Sequence, residues 1–323
     1  MSAPNAARRL SVAVGRRFDS LYLLDGQVKV GELDIEYPEA PRTATGAPMP
    51  MFSLLAREHP WDVGEMAFST YLMCRDLGKP YVALPIFPSR FFPHTGAWAN
   101  RQTGLKAAAD LIGKRVACGS FATNYSVWWR GALTHQYDLP IQKITWVESV
   151  EEHLPEYHPP KRFQVERMPG ETDPAVVLSE GKTDAASLPG PARGVDLERI
   201  APLYEDPYPE IAAYVEANGF IPINTVVTVR TDTVARNSDL PRLLLDAYNR
   251  AKALYDAEIA EGKQDLHMGL SLSRLRDVTG LVLPEYGFRA NRTAIQTMIA
   301  YCYEQGVIRR LVQPEDLFLL IES

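Results

Sequence analysis

The alternation of apolar and polar positions divides this chain into short strands and amphipathic helices, the pattern of an α/β protein. Short apolar runs bounded by turn residues read as strands at 10–14, 81–87, 114–118, 143–147, 184–188, 199–203 and 224–230. Between 28 and 37, the apolar residues Val28, Val30, Leu33, Ile35 and Tyr37 predict a further strand region. Helical spacing is plainest at 240–261, where Leu244, Ala247, Tyr248, Ala251, Leu254 and Tyr255 fall on one face. The last helix starts at Asn291 as its cap, carries Ile295, Met298, Ile299 and Cys302 as its stripe, and stops at Gly306. Shorter helices are predicted at 67–77, 105–111, 125–137 and 175–180, with one or two turns at 51–57.

The first strands and the last helices lack partners of their own, whereas 114–188 reads as a self-contained, doubly wound unit. An inserted domain explains both. Residues 1–97 and 223–323 then form a discontinuous lobe 1, and 98–222 form lobe 2. Two linkers cross near 95–100 and 222–225, and the cleft between lobes is the expected binding site. The stretch 38–50 reads as an exposed Pro/Thr/Ala/Gly loop, and 153–174, with five prolines, as a surface excursion returning through a short extended segment. There is no internal repeat and no low-complexity segment.

Composition narrows the class without changing the fold. The chain has 323 residues, 46% of them hydrophobic and 23% charged, as expected of a globular protein. A net charge of −6 argues against nucleic acid as a partner. No apolar stretch approaches the ~20 residues that span a bilayer, and the N-terminus lacks a signal-peptide core. Cys74, Cys118 and Cys302 are scattered, without Cys-x-x-Cys or zinc spacing, and read as small buried hydrophobes of a cytoplasmic protein. The expected partner is a small molecule, with no membrane. The terminal helices are the face available for a homo-oligomer.

Candidate chemistry centres on 61–100. Asp62-Val63-Gly64-Glu65 reads as an acidic turn opening the helix at 67–77. Arg90 and His94 follow the apolar run in a turn rich in Pro and aromatics, where open α/β proteins place ligand-contacting residues. Arg90 is a candidate carboxylate clamp, because guanidinium grips a carboxylate through two parallel bonds. His94 is a candidate acid or base, since imidazole titrates near neutrality. Glu65 either polarises a ligand, orients these groups or complements the helix dipole. Ser69 and Thr70 offer hydroxyls from the next turn. Arg16 and Arg17 follow the first strand, and at least one faces solvent.

Further along, the 119–124 loop opens a helix, so its amides and the helix dipole form a natural carboxylate seat, with Ser120, Thr123 and Asn124 as added donors. Asn124 serves equally well as a cap. Of Trp128 and Trp129 one is core, and Arg130 either pairs across the lobes or is solvated. His153 and His158, on the proline-rich loop with Glu151, Glu152 and Glu156, read as solvated, and His59, His135 and His267 carry no signal of their own. No phosphate loop fits, so no nucleotide or flavin cofactor is expected, and a divalent metal is left open.

The segments DVGEMAFSTYL, FPSRFFPH, GKRVACGSF with WWRG, EGKTDAA, GFIPINTVV, YGFRANR and YEQG, in this order, resemble the 4,5-dihydroxyphthalate decarboxylase family. The resemblance runs over about 10–317 and implies a two-lobed fold of the type II periplasmic binding proteins. It implies a non-oxidative carboxy-lyase acting on a hydroxylated aromatic acid such as 4,5-dihydroxyphthalate. CO2 then leaves once the ring carbon is protonated, and His94, Arg90 and Glu65 are the catalytic candidates. The substrate-binding candidates are Arg16, Arg17, Ser69, Ser120, Thr123, Asn124, Trp128 and Arg130. The chain departs from the family pattern at Pro93-His94-Thr95, at Asn224-Thr225 and at Phe121 and Asn124. A solute-binding protein for an aromatic acid, and another cytoplasmic enzyme of this fold, are the competing readings.

Overall fold

The computed structural model describes residues 9–39, 51–189, 192 and 194–321. The loop expected at 38–50 and the N-terminal segment therefore lie largely outside the described residues. Thirteen strands are described: β1 (Leu10–Ala13), β2 (Ile35–Glu36), β3 (Val63–Ala67), β4 (Tyr81–Ala83), β5 (Ala97–Asn100), β6 (Arg115–Cys118), β7 (Thr145–Glu148), β8 (Gln164–Arg167), β9 (Ala185–Ser187), β10 (Ile200–Pro202), β11 (Thr225–Arg230), β12 (Leu266–His267) and β13 (Leu270–Ser271). The α-helices are α1 (Ser20–Leu24), α2 (Met51–Arg57), α3 (Phe68–Asp76), α4 (Asn124–His135), α5 (Pro174–Ser179), α6 (Tyr208–Asn218), α7 (Thr231–Arg236), α8 (Leu240–Ala260), α9 (Leu272–Thr279) and α10 (Phe288–Glu304).

Two sheets organise the chain. The first has the order β2-β1-β3-β11-β4, with β1 parallel to β2 and β3, and β11 antiparallel to β3 and β4. The second runs β10-β5-β9-β6-β7-β8, parallel from β9 to β8 and antiparallel at β5 and β10. A hairpin, β12–β13, stands apart. β11 takes its interior place between β3 and β4 because Thr-Val-Val-Thr-Val is β-branched throughout and buried at every one of those positions. The expected α/β class, with each sheet flanked by helices, is what the structure has.

The chain passes between the sheets twice, after β4 and before β11. Arg90 and Ile223 form an isolated antiparallel bridge between the two crossings, and the Asn224 and Thr225 amides both donate to the Ser89 carbonyl, at 2.9 and 3.2 Å. α4 belongs to the second half by sequence, yet Val127 and Trp128 pack into the core of the first sheet. α6 packs on α9 through Tyr208, Ile211 and Tyr214 against Leu272 and Leu275.

Several elements differ from expectation for local reasons. Of the acidic turn expected at 62–65, residues 63–65 lie in β3 and Asp62 immediately precedes it. Asp62 sits buried there because Ser11 and Thr233 donate to its carboxylate. The strand expected over 81–87 ends at Ala83, since Pro85 and Pro88 have no N–H to donate to a ladder. The region at 28–37 pairs only at Ile35–Glu36, and Gly31 turns the chain at φ 54° before it. The helix expected at 105–111 is a 3₁₀ turn at Ala108–Leu111. The linker expected at 95–100 contains β5 instead.

Asn291 is no cap: α10 begins at Phe288, and the Asn291 side chain, buried inside the first turns, donates to the Glu285 and Gly287 carbonyls. The stripes of α8 and α10 pack as expected, except that Leu254 is exposed. All three cysteines are buried and unpaired.

Candidate functional site

The C-terminal end of β1 opens into Gly15-Arg16-Arg17-Phe18-Asp19, directly over β3. Glu65, in β3, is 1% exposed, and leaving its carboxylate unpaired there would cost several kcal/mol. It is fully engaged. Its Oε2 accepts the Gly15 amide at 2.7 Å, and its Oε1 accepts the Thr225 hydroxyl at 2.6 Å and the Arg17 guanidinium. Arg17 is 31% exposed, so it carries the charge of this cluster outward. A Cβ at Gly15 would meet the folded-back Arg17 guanidinium, so a larger residue there would displace that side chain. Arg16 points the other way, 66% exposed and 2.6 Å from Asp25.

Asn224 and Asn124 extend this cluster across to the second half. Asn124 Nδ2 donates to the Ile223 carbonyl at 3.0 Å and to Asn224 Oδ1 at 3.3 Å, while its Oδ1 accepts the Ser69 amide at 3.0 Å. Asn224 Nδ2 donates to Ser89 Oγ at 3.1 Å. Asn124 is thus neither a cap nor a free donor, but a clamp joining α4, α3 and the second crossing. Thr123 takes the N-cap place. Ser69 Oγ is turned onto the Ala122 carbonyl at 2.8 Å, and Thr70 Oγ1 lies 2.6 Å from His153 Nδ1, so both hydroxyls are engaged within the protein.

The carboxylate seat expected at 119–124 is occupied by the chain's own acids. Glu152 accepts Ser120 Oγ at 2.7 Å and the Ala122 amide at 2.9 Å, and Glu148 accepts the Phe121 amide at 2.9 Å. Thr123 Oγ1 donates to the Ser120 carbonyl. Burial pushes the Glu152 carboxyl up to about 8, against those two hydrogen bonds. The Ser120 and Thr123 hydroxyls are thus engaged within the protein, on Glu152 and on the Ser120 carbonyl. Trp128 is fully buried, and its Nε1 donates to the Ile223 carbonyl at 2.7 Å. Trp129 packs on Trp146. Arg130 is not solvated: it is fully buried, bonded to Gln305 Oε1 at 2.8 Å and to the Phe121 carbonyl, with Phe121 beneath it at 3.8 Å.

Arg90 and His94, four residues apart, point into different surroundings. Arg90 is buried over Phe87, with donors on the Ile221 carbonyl at 3.0 Å and on Asn291 Oδ1, and burial pulls its guanidinium down to about 10. His94 sits in a 3₁₀ turn, Pro93–Gly96, that carries it to the far end of α4, where its Nε2 meets Gln136 Oε1 at 2.9 Å. Tyr137, Tyr204 and Tyr214 surround its ring. Burial pushes its imidazole down to about 4, so it is neutral at pH 7. The 12 residues of α4, roughly 18 Å at about 1.5 Å per residue, separate this ring from the Asn124 cluster. The structure therefore brings together Arg17, Glu65, Asn124 and Ser69, and leaves His94, Arg130, Ser120 and Arg16 elsewhere.

Sequence reading missed Thr225 as a partner of Glu65, although its departure from the family pattern marked the position. It missed Asp19 and His267, which line a small cavity with Arg90. It also read His153 as solvated, whereas that ring is half-buried against Thr70 and its imidazole is pushed down to about 4 by burial. His59 is a core group, between the Trp61 carbonyl and Thr228 Oγ1. Among the described residues, no group of three or more His, Cys, Asp or Glu side chains is arranged to hold a metal ion. Among them, too, no helix is long and apolar enough to cross a membrane.

No protein-family model matches the chain. Two curated relatives do. The chain is 26% identical over 329 residues, 96% of each protein, to a 4,5-dihydroxyphthalate decarboxylase of Comamonas testosteroni. It is 33% identical over 139 residues to a 4,5-dihydroxyphthalate decarboxylase of Pseudomonas putida, a match covering 43% of this chain and 52% of that protein. The resemblance read from the motifs is thus borne out.

Solved structures agree on the fold. The desulfurization enzyme DSZB superposes with a TM-score of 0.57 at 14% identity, covering 97% of each chain. The alkanesulfonate-binding protein SsuA of Xanthomonas axonopodis pv. citri, bound to MOPS, gives 0.55 at 14% identity, covering 99% of this chain and 100% of that one. A Candida albicans gene product with the generic periplasmic binding protein fold gives 0.52 at 13% identity, covering 98% of both. At such identities the likeness is one of fold alone, and the fold is the one the resemblance implies.

Proposed function

We propose that this protein is a non-oxidative carboxy-lyase acting on a hydroxylated aromatic carboxylic acid, with 4,5-dihydroxyphthalate as the leading substrate. The observation that carries the reading is the similarity to a decarboxylase of that name along 96% of the chain, joined to a partly exposed arginine held over a buried glutamate. The cavity between residues 1–97 with 223–323 and residues 98–222 takes the substrate. Arg17 receives a carboxylate of the substrate, because it is the cation that this cluster carries outward. Glu65 fixes the guanidinium plane, and Thr225 and the Gly15 amide fix Glu65.

Loss of CO2 from such an acid is a problem of proton delivery. The ring carbon bearing the carboxyl gains a proton, the bond to the carboxyl breaks, and its electron pair restores the aromatic ring. The chain's residues need to hold the carboxylate out of the ring plane, keep a proton near that carbon and exclude bulk water. General acid help of this kind is worth about 10²–10⁴-fold. His94 is set aside as the proton donor in this reading, because it is neutral, caged by tyrosines and at the opposite end of α4.

The test is CO2 release from a panel of hydroxylated benzoates and phthalates, with and without chelator. Release from one member supports the lyase and names its substrate. Thermal stabilisation by an aromatic acid without release would instead favour a solute-binding protein.

A further inference from the structure

Asp19 closes the turn that carries Arg17, and the arrangement above does not use it. It is 3% exposed. Its Oδ2 accepts the Tyr286 hydroxyl, and its Oδ1 has no hydrogen-bond partner among the described residues. It lines a cavity of about 20 Å³ with Phe18, Arg90, Lys252, His267 and Tyr286. That is room for one water molecule, which needs roughly 10–15 Å³ and polar partners. His267 lines the same cavity, and its Nε2 likewise has no partner among the described residues. The imidazole is stacked on Phe18 at 3.9 Å, and Phe18 is held at φ 51°, the left-handed region that a phenylalanine avoids. A buried acid, a buried imidazole and a strained aromatic thus converge on a water-sized cavity, and Phe18 and Asp19 directly follow Arg17 in the chain.

We infer that Asp19 is the proton reservoir of the proposed decarboxylation, a neutral carboxylic acid that passes its proton through a water in this cavity to the substrate held at Arg17. The inference rests on the decarboxylase reading. The balance is simple. The Asp19 O–H bond breaks and, through the water, a C–H bond forms at the ring carbon. The bond from ring to carboxyl then breaks, its electrons return to the ring, and CO2 leaves. Asp19 remains as a carboxylate and recovers a proton from solvent. Asp19 acts through the water and is therefore a positioning residue.

The electrostatics agree with the geometry. Burial pushes Asp19 up to about 7, with Glu65 adding to the effect and the Tyr286 hydrogen bond, Lys252 and the Ser20 amide opposing it. Its other titratable neighbours are Tyr22 on its own helix, Tyr248 and Tyr255 on α8, and Arg90 and His267 across the cavity. The tyrosines are all pushed upward, so they stay neutral. An acid that titrates near neutrality is suited to giving and recovering a proton at pH 7.

The experiment is the pH dependence of kcat and KM for CO2 release in the wild type, Asp19→Asn and Tyr286→Phe. The wild-type kcat should fall as pH rises through about 7, because the acid is loaded only below that value. Asp19→Asn should lose that limb and about 10²-fold or more of kcat, with KM changed little. Tyr286→Phe removes a bond that holds the acid down, so its limb should move to higher pH.

An Asp19→Asn enzyme that keeps the wild-type limb would overturn the inference while leaving the decarboxylase reading intact. Where Asp19→Asn does not fold, carbon-13 NMR of the Asp19 carboxyl in the wild type decides: titration near 7 supports the role and titration near the ordinary value of about 3.9 refutes it. Wild-type protein that releases no CO2 from any hydroxylated aromatic acid removes both readings, whatever Asp19 titrates at.

Discussion

The Thr225 hydroxyl donates to Glu65 Oε1 at 2.6 Å, on the same carboxylate that holds Arg17. β11 and β3 are antiparallel neighbours, with Glu65 opposite Val227, so the contact is a short diagonal across the sheet. It places a residue of the second crossing beneath the Arg17 cation. Two of the chain's departures from the family pattern meet in this cluster, Thr225 at Glu65 and Asn124 at Asn224. The departures at Pro93-His94-Thr95 and Phe121 lie elsewhere, at the far end of α4 and beneath Arg130.

Thr225→Val should leave one lone pair of a buried carboxylate without its donor. Hydrogen bonds to charged groups are worth about 1.5–3 kcal/mol, and a loss of that size is expected in denaturant unfolding, with a several-fold rise in KM as Arg17 loosens. Unchanged stability and unchanged KM together would mean that Thr225 supports neither Glu65 nor the site.

Asn124 and Asn224 should be coupled. Each single alanine variant breaks the same junction between α4 and the second crossing, so the double variant should cost less than the sum by about 0.5–3 kcal/mol. A double-mutant cycle in urea measures this directly. Strict additivity would contradict the clamp.

His94→Gln should cost stability yet keep kcat within about tenfold, whereas loss of a general acid would cost about 10²–10⁴-fold. The same histidine predicts an acid limb of stability. Its folded pKa, about 4, lies below the ordinary 6.5, so its contribution is complete above 6.5 and is lost as pH falls from there toward 4. Unfolding free energies of wild type and His94→Gln across that window should converge at low pH.

Glu152 works with the opposite sign. Its folded pKa is raised from 4.5 to about 8, so the folded state holds a proton that the unfolded chain releases. Its contribution is complete below 4.5 and declines as pH rises through 8. Glu152→Gln, which keeps the shape without the titration, should flatten stability across that interval. An equal slope in wild type and variant would show that Glu152 is ionised in the fold.

How much of this was legible in the sequence depends on how local each feature is. α8 and α10 announced themselves through apolar stripes that a helix must bury, and β11 through a β-branched run. β3 did not, because Asp62 and Glu65 look like turn residues until Ser11, Thr233, Arg17 and Thr225 are seen to satisfy them from far along the chain. The 119–124 loop was rightly seen to be rich in donors, but the acids that occupy them come from β7 and the segment after it. Spacing placed Arg90 and His94 together, whereas a 3₁₀ turn between buried aromatics sends them apart. Periodicity reveals which face is buried. It does not reveal which distant partner a buried polar group finds.

The most direct measurement is CO2 release from 4,5-dihydroxyphthalate by the wild type beside Arg17→Ala, with the ligand affinity of each determined separately. The account predicts release by the wild type, and an Arg17→Ala protein that folds normally but binds the diacid at least about tenfold more weakly, as expected when a charged hydrogen-bond partner is lost. Release that is indifferent to Arg17 would contradict the placement of the site. No release by the wild type from this or any related hydroxylated acid would contradict the carboxy-lyase itself.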